Sequence, residues 1–383
     1  MKKWLVLLSL LLLTACMGQG VTYDLNTSLH AVLLSDLHFS VSPNVVSSIV
    51  PAMPYSRAFT EALFAEVIAA HPDVLIIDGD NTNSGSREDM EELAKLLSQV
   101  REAEIPIVMV SGNHDFNLCT PQEYEAVYMP QLIVQERDHA SLSYRTDISG
   151  VRLLAMDDSS ADRGMDGYYS GETLAWVKKQ LDDARKNNMR VIFLTHHPLL
   201  NERALTDNNG KKEMIRLLNQ YDVRLCISGH THGEAVLKKE NLNEIILGMP
   251  LSGNHDIGTL DLERGHVRYR AEPAKLSVYG SEGLAEKIEE ADRLYESGLS
   301  EAFESIFDKE NITGEKRREI LRLTNRFMKE YSEGRLRETA PEIKDDPYYP
   351  DMIEALWDYN YGPWIESVLD NPPENGRALE FDW

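Results

Sequence analysis

Five short polar clusters constrain the fold of this 383-residue chain, because each one directly follows an apolar, strand-like run. The runs are AVLLS, DVLIID, IPIVMVS, RVIFLT and VRLCIS, and their length and composition predict buried β-strands. The clusters are Asp36-Leu37-His38, Gly79-Asp80, Gly112-Asn113-His114-Asp115, His196-His197-Pro198 and Gly229-His230-Thr231-His232. In open α/β sheets, ligands bind at the carboxyl ends of the strands. The pattern therefore predicts a ligand site built from strand ends, with a metal centre as the leading interpretation.

The residue types in the clusters favour a site for two metal ions, since carboxylate, amide and imidazole groups are hard or borderline ligands. Asp36 and His38 share one side of a strand-to-loop turn, because alternate residues lie on the same face. Asp80 follows Gly79, which allows a close approach of the backbone, and its carboxylate is able to bridge two cations. Asn113 offers a neutral carbonyl oxygen.

Histidines complete the pattern. His196 and His230 suit one metal, and His232, two residues further on, is able to turn toward the other. Two cations about 3.5–4 Å apart clamp the attacking and leaving oxygens of an in-line displacement and lower the pKa of a bridging water. The arrangement predicts a hydroxide nucleophile available near neutral pH.

We expect His114 to lie outside the metal ligands. A leaving alkoxide needs a proton, and an imidazole that titrates near neutrality is a suitable general acid. Asp115 follows directly and is predicted to orient that imidazole or raise its pKa.

Charge limits the partners. The net charge of −24 argues against nucleic acid or anionic lipid headgroups as a primary partner, while a hydrophobic fraction of 42% is ordinary for a globular protein. For an anionic substrate, bound metal ions would have to overcome the negative field.

The N-terminus is typical of a secretory signal. Lys2 and Lys3 precede an apolar run, which ends in Leu-Thr-Ala before Cys16. This sequence resembles the bacterial lipoprotein lipobox, which predicts a signal peptide at 1–15, lipidation of Cys16, a tether over 16–28, and an exported protein anchored to the cell membrane. An ordinary signal peptide or an uncleaved anchor is the alternative.

Alternating strand-like and helix-like segments predict a layered α/β domain over residues 29–273. From 281 to 383 the pattern is acidic and helical, which predicts an added α-helical C-terminal domain. Its aromatic residues are expected to dock it onto the α/β body; they are Trp357, Tyr359, Tyr361 and Trp364. A disulfide between Cys119 and Cys226 is compatible with export, but two separate thiols are favoured.

At the five clusters the sequence resembles the calcineurin-like metallophosphoesterase superfamily, whose ordered motifs are all present within about residues 30–270. The resemblance implies a four-layer αββα sandwich. The run GDNTNSG also resembles a stretch of bacterial cyclic-nucleotide phosphodiesterase-like members, with Asn81 in place of the usual Leu. Exported Gram-positive members of that branch carry a helical C-terminal domain as well.

The resemblance also implies which residues bind each metal and which is the catalytic histidine. The first metal is matched by Asp36, His38, Asp80 and His232. The second is matched by Asp80, Asn113, His196 and His230. His114 matches the family's catalytic histidine. The ligands fit Mn, Fe or Zn.

Other residues carry weaker signals. Asn83, Arg87 and His197 are candidate substrate contacts, with ordinary loop roles at least as strong and His197 expected behind the metal ligands. Gly253-Asn254-His255-Asp256 repeats the third cluster letter for letter, but every expected ligand position is already filled. We interpret it as a chance recurrence in a late β-hairpin.

We therefore expect a phosphoesterase that acts on a small phosphorylated substrate, with phosphodiesters favoured and a cyclic nucleotide as one candidate. The in-class alternative is a monoesterase such as a nucleotidase or phosphoprotein phosphatase. A lipoprotein that binds phosphate or metal without catalysis is the alternative from another class. His114 weighs against that one, because a binding protein needs no general acid.

Overall fold

The computed structural model describes residues 27–42, 53–161, 166–200, 209–359, 361–373 and 376–383. The predicted signal peptide, Cys16 and all but the last two residues of the predicted tether lie outside the described residues. Within the described residues, no helix is both long and apolar enough to span a bilayer.

Two mixed β-sheets form the centre of the α/β body. The first sheet contains, in spatial order, β13 (Ala378–Asp382), β12 (His266–Pro273), β11 (Asp256–Glu263), β1 (Ser28–Leu34), β2 (Val74–Asp78) and β3 (Ile107–Val110). Strands β1, β2 and β3 are parallel, and β11 runs antiparallel to β1. The carboxyl ends of the three parallel strands therefore lie at one edge of this sheet.

The second sheet has the same organisation. In spatial order it contains β4 (Glu136–Arg137), β5 (Tyr144–Ile148), β6 (Val151–Ala155), β7 (Arg190–Leu194), β8 (Leu225–Ser228), β10 (Leu242–Ile246) and β9 (Ala235–Lys239). Strands β6, β7, β8 and β10 run parallel to one another, whereas β5 and β9 pair antiparallel with β6 and β10. The five apolar runs named in the sequence analysis thus form strands β1, β2 and β3 of the first sheet and β7 and β8 of the second.

Alternation along the strands creates three apolar layers. Ala31 and Leu33 of β1 face the second sheet, whereas Val32 and Leu34 face helices α1 (Ser56–Ala70) and α2 (Arg87–Glu102). Val191 and Phe193 of β7 pack in the same way against α4 (Gly171–Lys186) and α5 (Lys211–Gln220). The short helix α3 (Pro121–Tyr128) joins the layer of α1 and α2. The predicted αββα sandwich is confirmed.

After the body, a short helix α6 (Leu276–Tyr279) leads into a helical region. Its helices are α7 (Leu284–Lys309), α8 (Gly314–Ser332), α9 (Leu336–Lys344), α10 (Tyr349–Leu356) and α11 (Tyr361–Asp370). They bury an apolar core of their own around Phe307, Phe327 and Leu356.

Two features of the C-terminal part differ from expectation. Residues 281–383 are not helical to the end, because β13 pairs with β12 as an edge strand of the first sheet. The predicted docking by aromatic residues is also wrong. Trp357 and Tyr361 are exposed, and Trp364 packs against Phe327 and Tyr331 within the helical region. Periodicity revealed the helices but not which aromatic face meets the body.

Cys119 and Cys226 are buried thiols that are not joined to each other. They lie in different apolar layers, one on the helix-covered face of each sheet. Cys119 lies against the helices of the first sheet, where its Sγ contacts the Asp115 carbonyl oxygen at 2.9 Å. The expectation of two separate thiols is confirmed.

Candidate metal centre

The ends of the parallel strands bring two groups of ligand side chains together at the junction of the two sheets. Asp36, His38, Asp80 and His232 form one group, and Asp80, His196 and His230 form the other. Within each group the candidate ligand atoms all lie within 4.8 Å of one another. Asp80 belongs to both groups, so its carboxylate is the shared element of the site.

In the first group, the imidazoles of His38 and His232 meet beside the carboxylate of Asp36. The Nε2 atoms of His38 and His232 are 2.9 Å apart, and His232 Nε2 is 3.4 Å from Asp36 Oδ1. His38 Nε2 also lies 3.8 Å from Asp80 Oδ2. Lone pairs that converge in this way suit one divalent cation.

In the second group, the backbone sets the direction of a histidine. His196 Nδ1 is 3.0 Å from the carbonyl oxygen of Asp78, so Nδ1 carries a proton, and in the neutral ring Nε2 offers its lone pair to a metal ion beside Asp80 Oδ2, which is 3.3 Å away. His230 Nδ1 lies 3.1 Å from the side-chain oxygen of Asn113. The side chain of the predicted ligand Asn113 therefore lies next to the second group, in contact with His230.

Two buried polar atoms show that the donor set fits metal ions. Asp36 Oδ1 and His196 Nε2 are inaccessible to solvent and lack a hydrogen-bond partner among the described residues. A buried polar group left unsatisfied costs free energy of about 1–3 kcal/mol. Both atoms point into the ligand groups, where a cation would satisfy them.

The backbone of the ligand residues is strained. Five of them have a positive φ: 50° at Asp36, 40° at His38, 45° at Asp80, 70° at His230 and 57° at His232. This conformation is uncommon for residues other than glycine, and it persists where the surrounding structure over-determines it. Here backbone hydrogen bonds supply that constraint, since Asp36 N–H donates to Gly79 O at 3.1 Å and His38 N–H donates to Asp80 O at 2.9 Å.

Gly79 and Gly112 permit the close approach of neighbouring motifs. A β-carbon at Gly79, whose φ is +82°, would lie 2.1 Å from His196 Nδ1. At Gly112 it would lie 2.1 Å from the Asp80 backbone nitrogen. These glycines are therefore required by space, and at Gly79 also by backbone conformation.

Electrostatic interactions among the ligand side chains favour the metal-binding forms of Asp36 and His38 but not of His196. Burial alone would raise the pKa of Asp36, but the neighbouring imidazole of His232, with its charge and its Nε2 3.4 Å from Oδ1, holds the pKa at about 2. Burial, followed by the charge of His232, lowers the pKa of His38 to about 3. Burial also opposes protonation of His196, but the charge of Asp80 raises its pKa well above the ordinary value. A proton thus competes with a metal ion at His196.

His114 lies beside the ligand groups without joining them. Its ring centroid is 4.7 Å from that of His38, and its backbone N–H donates to Asp80 Oδ1 at 2.8 Å. The ring is oriented by the carbonyl oxygen of Asn83, 2.9 Å from Nδ1. Its Nε2 is consequently left for another partner.

Asp115 does not orient His114, which corrects our prediction. Its carboxylate is fully buried and accepts hydrogen bonds from Asn81, Thr82 and the Gly112 N–H at 2.8–3.2 Å. Burial, with the charge of Asp80, raises the pKa of Asp115 to about 6 despite these bonds. Asp115 therefore connects the third cluster to the loop after β2. The backbone carbonyl of Asn83, and not Asp115, orients the ring of His114.

The weaker candidates fall in different places. Asn83 contacts His114 through its backbone carbonyl oxygen. Arg87 begins α2, is exposed, and pairs with Glu91 at 2.8 Å, so it is not part of the ligand groups. His197 is buried behind them, with its ring centroid 4.3 Å from that of His230.

Sequence reasoning missed Asp158, which fixes His197. Its Oδ1 lies 3.0 Å from His197 Nδ1, and its Oδ2 accepts from the Thr195 hydroxyl at 2.9 Å. The signal was present, because Asp157 and Asp158 follow the apolar strand β6 after a single residue, Met156.

The second Gly-Asn-His-Asp has a structural role. His255 Nδ1 lies 2.8 Å from the Pro250 carbonyl oxygen, and Nε2 lies 3.0 Å from Asp292 of α7. Its ring packs 5.2 Å from that of Phe59. This motif therefore connects the body to the helical region and holds no ligand of the two groups.

Comparison with known proteins agrees with this geometry. The sequence model of the calcineurin-like phosphoesterase family matches residues 29–234. A dimetal phosphatase from Danio rerio is similar in structure, with a TM-score of 0.51 at 12% identity over 64% of this chain and 96% of that one. Purple acid phosphatase PPD1 from yellow lupin (Lupinus luteus) has a TM-score of 0.46 at 14% identity, over 66% of this chain and 52% of the lupin chain. No curated protein matches the sequence.

The steric role of Gly79 predicts the outcome of a substitution. Gly79→Ala should weaken metal binding by at least about tenfold, because the new methyl group would displace His196, and perturbing the support of a ligand typically costs 10–100-fold in affinity. Metal stoichiometry after dialysis and calorimetric titration with Mn²⁺ would measure this. Gly171→Ala is the control, since a β-carbon there meets nothing within 4 Å. Equal Mn²⁺ affinity of the two variants would contradict the prediction.

Proposed function

The chain belongs to the calcineurin-like phosphoesterase family, which makes it a metal-dependent phosphoester hydrolase, and we propose that its substrates are phosphodiesters. The proposal concerns a small phosphorylated molecule that binds at the candidate metal centre. One observation carries the catalytic role: the ring of His114 is oriented by the Asn83 carbonyl oxygen and lies next to the two ligand groups without belonging to either.

Each residue of the site has a task in this reaction. Two divalent cations held by the two ligand groups would supply Lewis-acid polarisation of a phosphoryl oxygen and lower the pKa of a bound water. Asp80 fixes the spacing of the two ligand groups and accepts the backbone N–H of His114. The protonated ring of His114, held through Nδ1 by Asn83 O, gives its Nε2 proton to the leaving oxygen.

Charge supports a diester over a monoester. Among the described residues, the charged partners of the ligand carboxylates Asp36 and Asp80 are histidines, and their other partners include backbone N–H groups. The overall charge of −24 adds a repulsive field for anions. A diester carries one negative charge near neutral pH and a monoester carries up to two, so the diester is opposed less strongly.

Substrate comparison tests the proposal. After reloading with Mn²⁺, the protein should hydrolyse bis(p-nitrophenyl) phosphate with a higher kcat/KM than p-nitrophenyl phosphate. A higher kcat/KM for the monoester would contradict diester preference and favour the monoesterase alternative. Binding of metal and phosphate without turnover of either ester would contradict an enzymatic role and favour a binding protein.

Substitution of the proposed acid gives a second prediction. His114→Ala should keep both metals but lower kcat on diesters with poor, alkyl leaving groups by about 10²–10⁴-fold, the range for general acid catalysis. Esters of p-nitrophenol should slow much less, because their leaving group needs no proton. His139→Ala is the matched control, since His139 is exposed and outside the site. An equal slowing of both ester types would show that His114 is not the acid.

We also propose that the mature protein is exported and held at the bacterial cell membrane through lipidated Cys16. The support is sequence alone: the Lys2-Lys3 start, the apolar run and the Leu-Thr-Ala-Cys junction. A lipid on Cys16 would place the metal centre outside the cytoplasm, a short tether away from the bilayer.

Replacement of Cys16 tests the anchor. Cys16→Ser should move the protein from the membrane fraction to the soluble extracytoplasmic fraction and abolish incorporation of a labelled fatty acid. Cys119→Ser is the control, because that thiol is buried in the fold. Membrane retention of the Cys16→Ser variant without label would indicate an uncleaved signal anchor instead.

A further inference from the structure

We propose that the C-terminal helical region positions the metal ligand His232, with Tyr331 and the turn at Gly334 as the positioning elements. The inference concerns metal retention, so it goes beyond the proposed reaction and does not depend on which ester is cleaved. It rests on contacts between the end of α8 and the two residues that follow His232.

The first contact is a ring against a glycine. A β-carbon at Gly233 would lie 2.6 Å from Cε1 of Tyr331 and 3.0 Å from the Tyr331 carbonyl oxygen, so the two chains touch with no room for a side chain. Tyr331 is itself held by Phe327 and Trp364, whose ring centroids lie 6.1 and 5.1 Å from its own. Through Tyr331, the apolar core of the helical region therefore packs directly against Gly233, the residue that follows His232.

The second contact encloses the next residue, Glu234. Its backbone N–H donates to Ser332 O at 3.5 Å. Its carbonyl oxygen would lie 2.3 Å from a β-carbon at Gly376 and 3.1 Å from one at Gly334. Its side chain is buried, only 4% exposed.

Arg377 joins the same enclosure to the body. Its guanidinium makes two hydrogen bonds to Asp256, at 2.5 and 2.9 Å, and lies 4.0 Å from Glu234 Oε2. Its carbonyl oxygen accepts the backbone N–H of Ala271 at 2.9 Å. Contacts of Arg377 therefore connect Glu234, two residues after His232, with Ala271 of β12.

His230, two residues earlier, is supported differently. Its N–H donates to Asp36 Oδ2 at 3.0 Å, and Gly229 N–H donates to His196 O at 3.0 Å. Those partners belong to the α/β body. Because His232 and His230 belong to different ligand groups, loss of the C-terminal support should affect mainly the metal bound with Asp36 and His38.

The first experiment removes the ring. Tyr331→Ala in the full chain should weaken one of the two Mn²⁺ equivalents by at least about tenfold, the usual effect of losing support behind a ligand, and change the other by less than about threefold. Calorimetric titration of the metal-free protein measures both. The electron paramagnetic resonance spectrum at two equivalents should lose its spin-coupled signal in favour of an uncoupled one. Tyr331→Phe keeps the ring and should restore both.

The second experiment crowds the turn and has a matched control. Gly334 and Gly314 both have a φ of +67°, but a β-carbon at Gly314 meets nothing within 4 Å. Alanine therefore strains the backbone equally at the two positions, and only Gly334→Ala also pushes on Glu234. Gly334→Ala should reproduce the selective loss of one Mn²⁺ equivalent, whereas Gly314→Ala should bind two as the unmodified chain does.

Neither measurement requires turnover, so the inference can fail while the proposed function stands, and the reverse. Unchanged binding of both equivalents in Tyr331→Ala and Gly334→Ala would overturn it. Equal weakening of both equivalents would also overturn it, because that result describes general destabilisation. If Tyr331→Ala does not fold, the comparison of Gly334→Ala with Gly314→Ala decides the question alone.

Discussion

The carboxylate of Asp80 is the group on which the candidate site depends. It belongs to both ligand groups, accepts the N–H of His114, and lies at the end of a strand whose neighbours are packed on both faces. Burial penalises its charge, yet the charges of His196 and His38 hold the pKa of Asp80 well below its ordinary value. A buried anion of this kind is retained only where cations or hydrogen-bond donors surround it. The two sheets provide that surrounding by directing their strand ends to one point.

The strain in the ligand backbone has the same origin. The side chains of Asp36, His38 and Asp80 converge because each residue turns sharply out of a parallel strand, and the turn uses a left-handed conformation. Such residues each cost of order 1–3 kcal/mol, which the apolar layers on both sides of each sheet offset. Rigid strands and strained turns together preset the positions of the ligands before any metal binds.

Much of this was predictable from local pattern. The strands follow from apolar runs, the helices on the two sheets from periodicity, and the ligand residues from their chemistry. Each of these signals is contained in a short stretch of sequence. The partner of His114 was not predictable in this way. Asp115 is adjacent in sequence, but its side chain turns toward Asn81 and Thr82, and a backbone carbonyl at Asn83 orients the ring instead. Backbone groups are the same at every residue, so the sequence carries no mark of which one accepts a bond.

The sequence by itself determined which side chains are able to bind metal and that most of the C-terminal part is helical, and it predicted the imidazole that we propose as the proton donor. Only the tertiary structure decided how the parts meet. Asp158 behind His197, β13 beside β12, and Tyr331 against Gly233 join residues far apart in the chain. Such contacts are selected by the packing of whole surfaces, in which a glycine matters for the space it leaves and an aromatic ring for the space it fills.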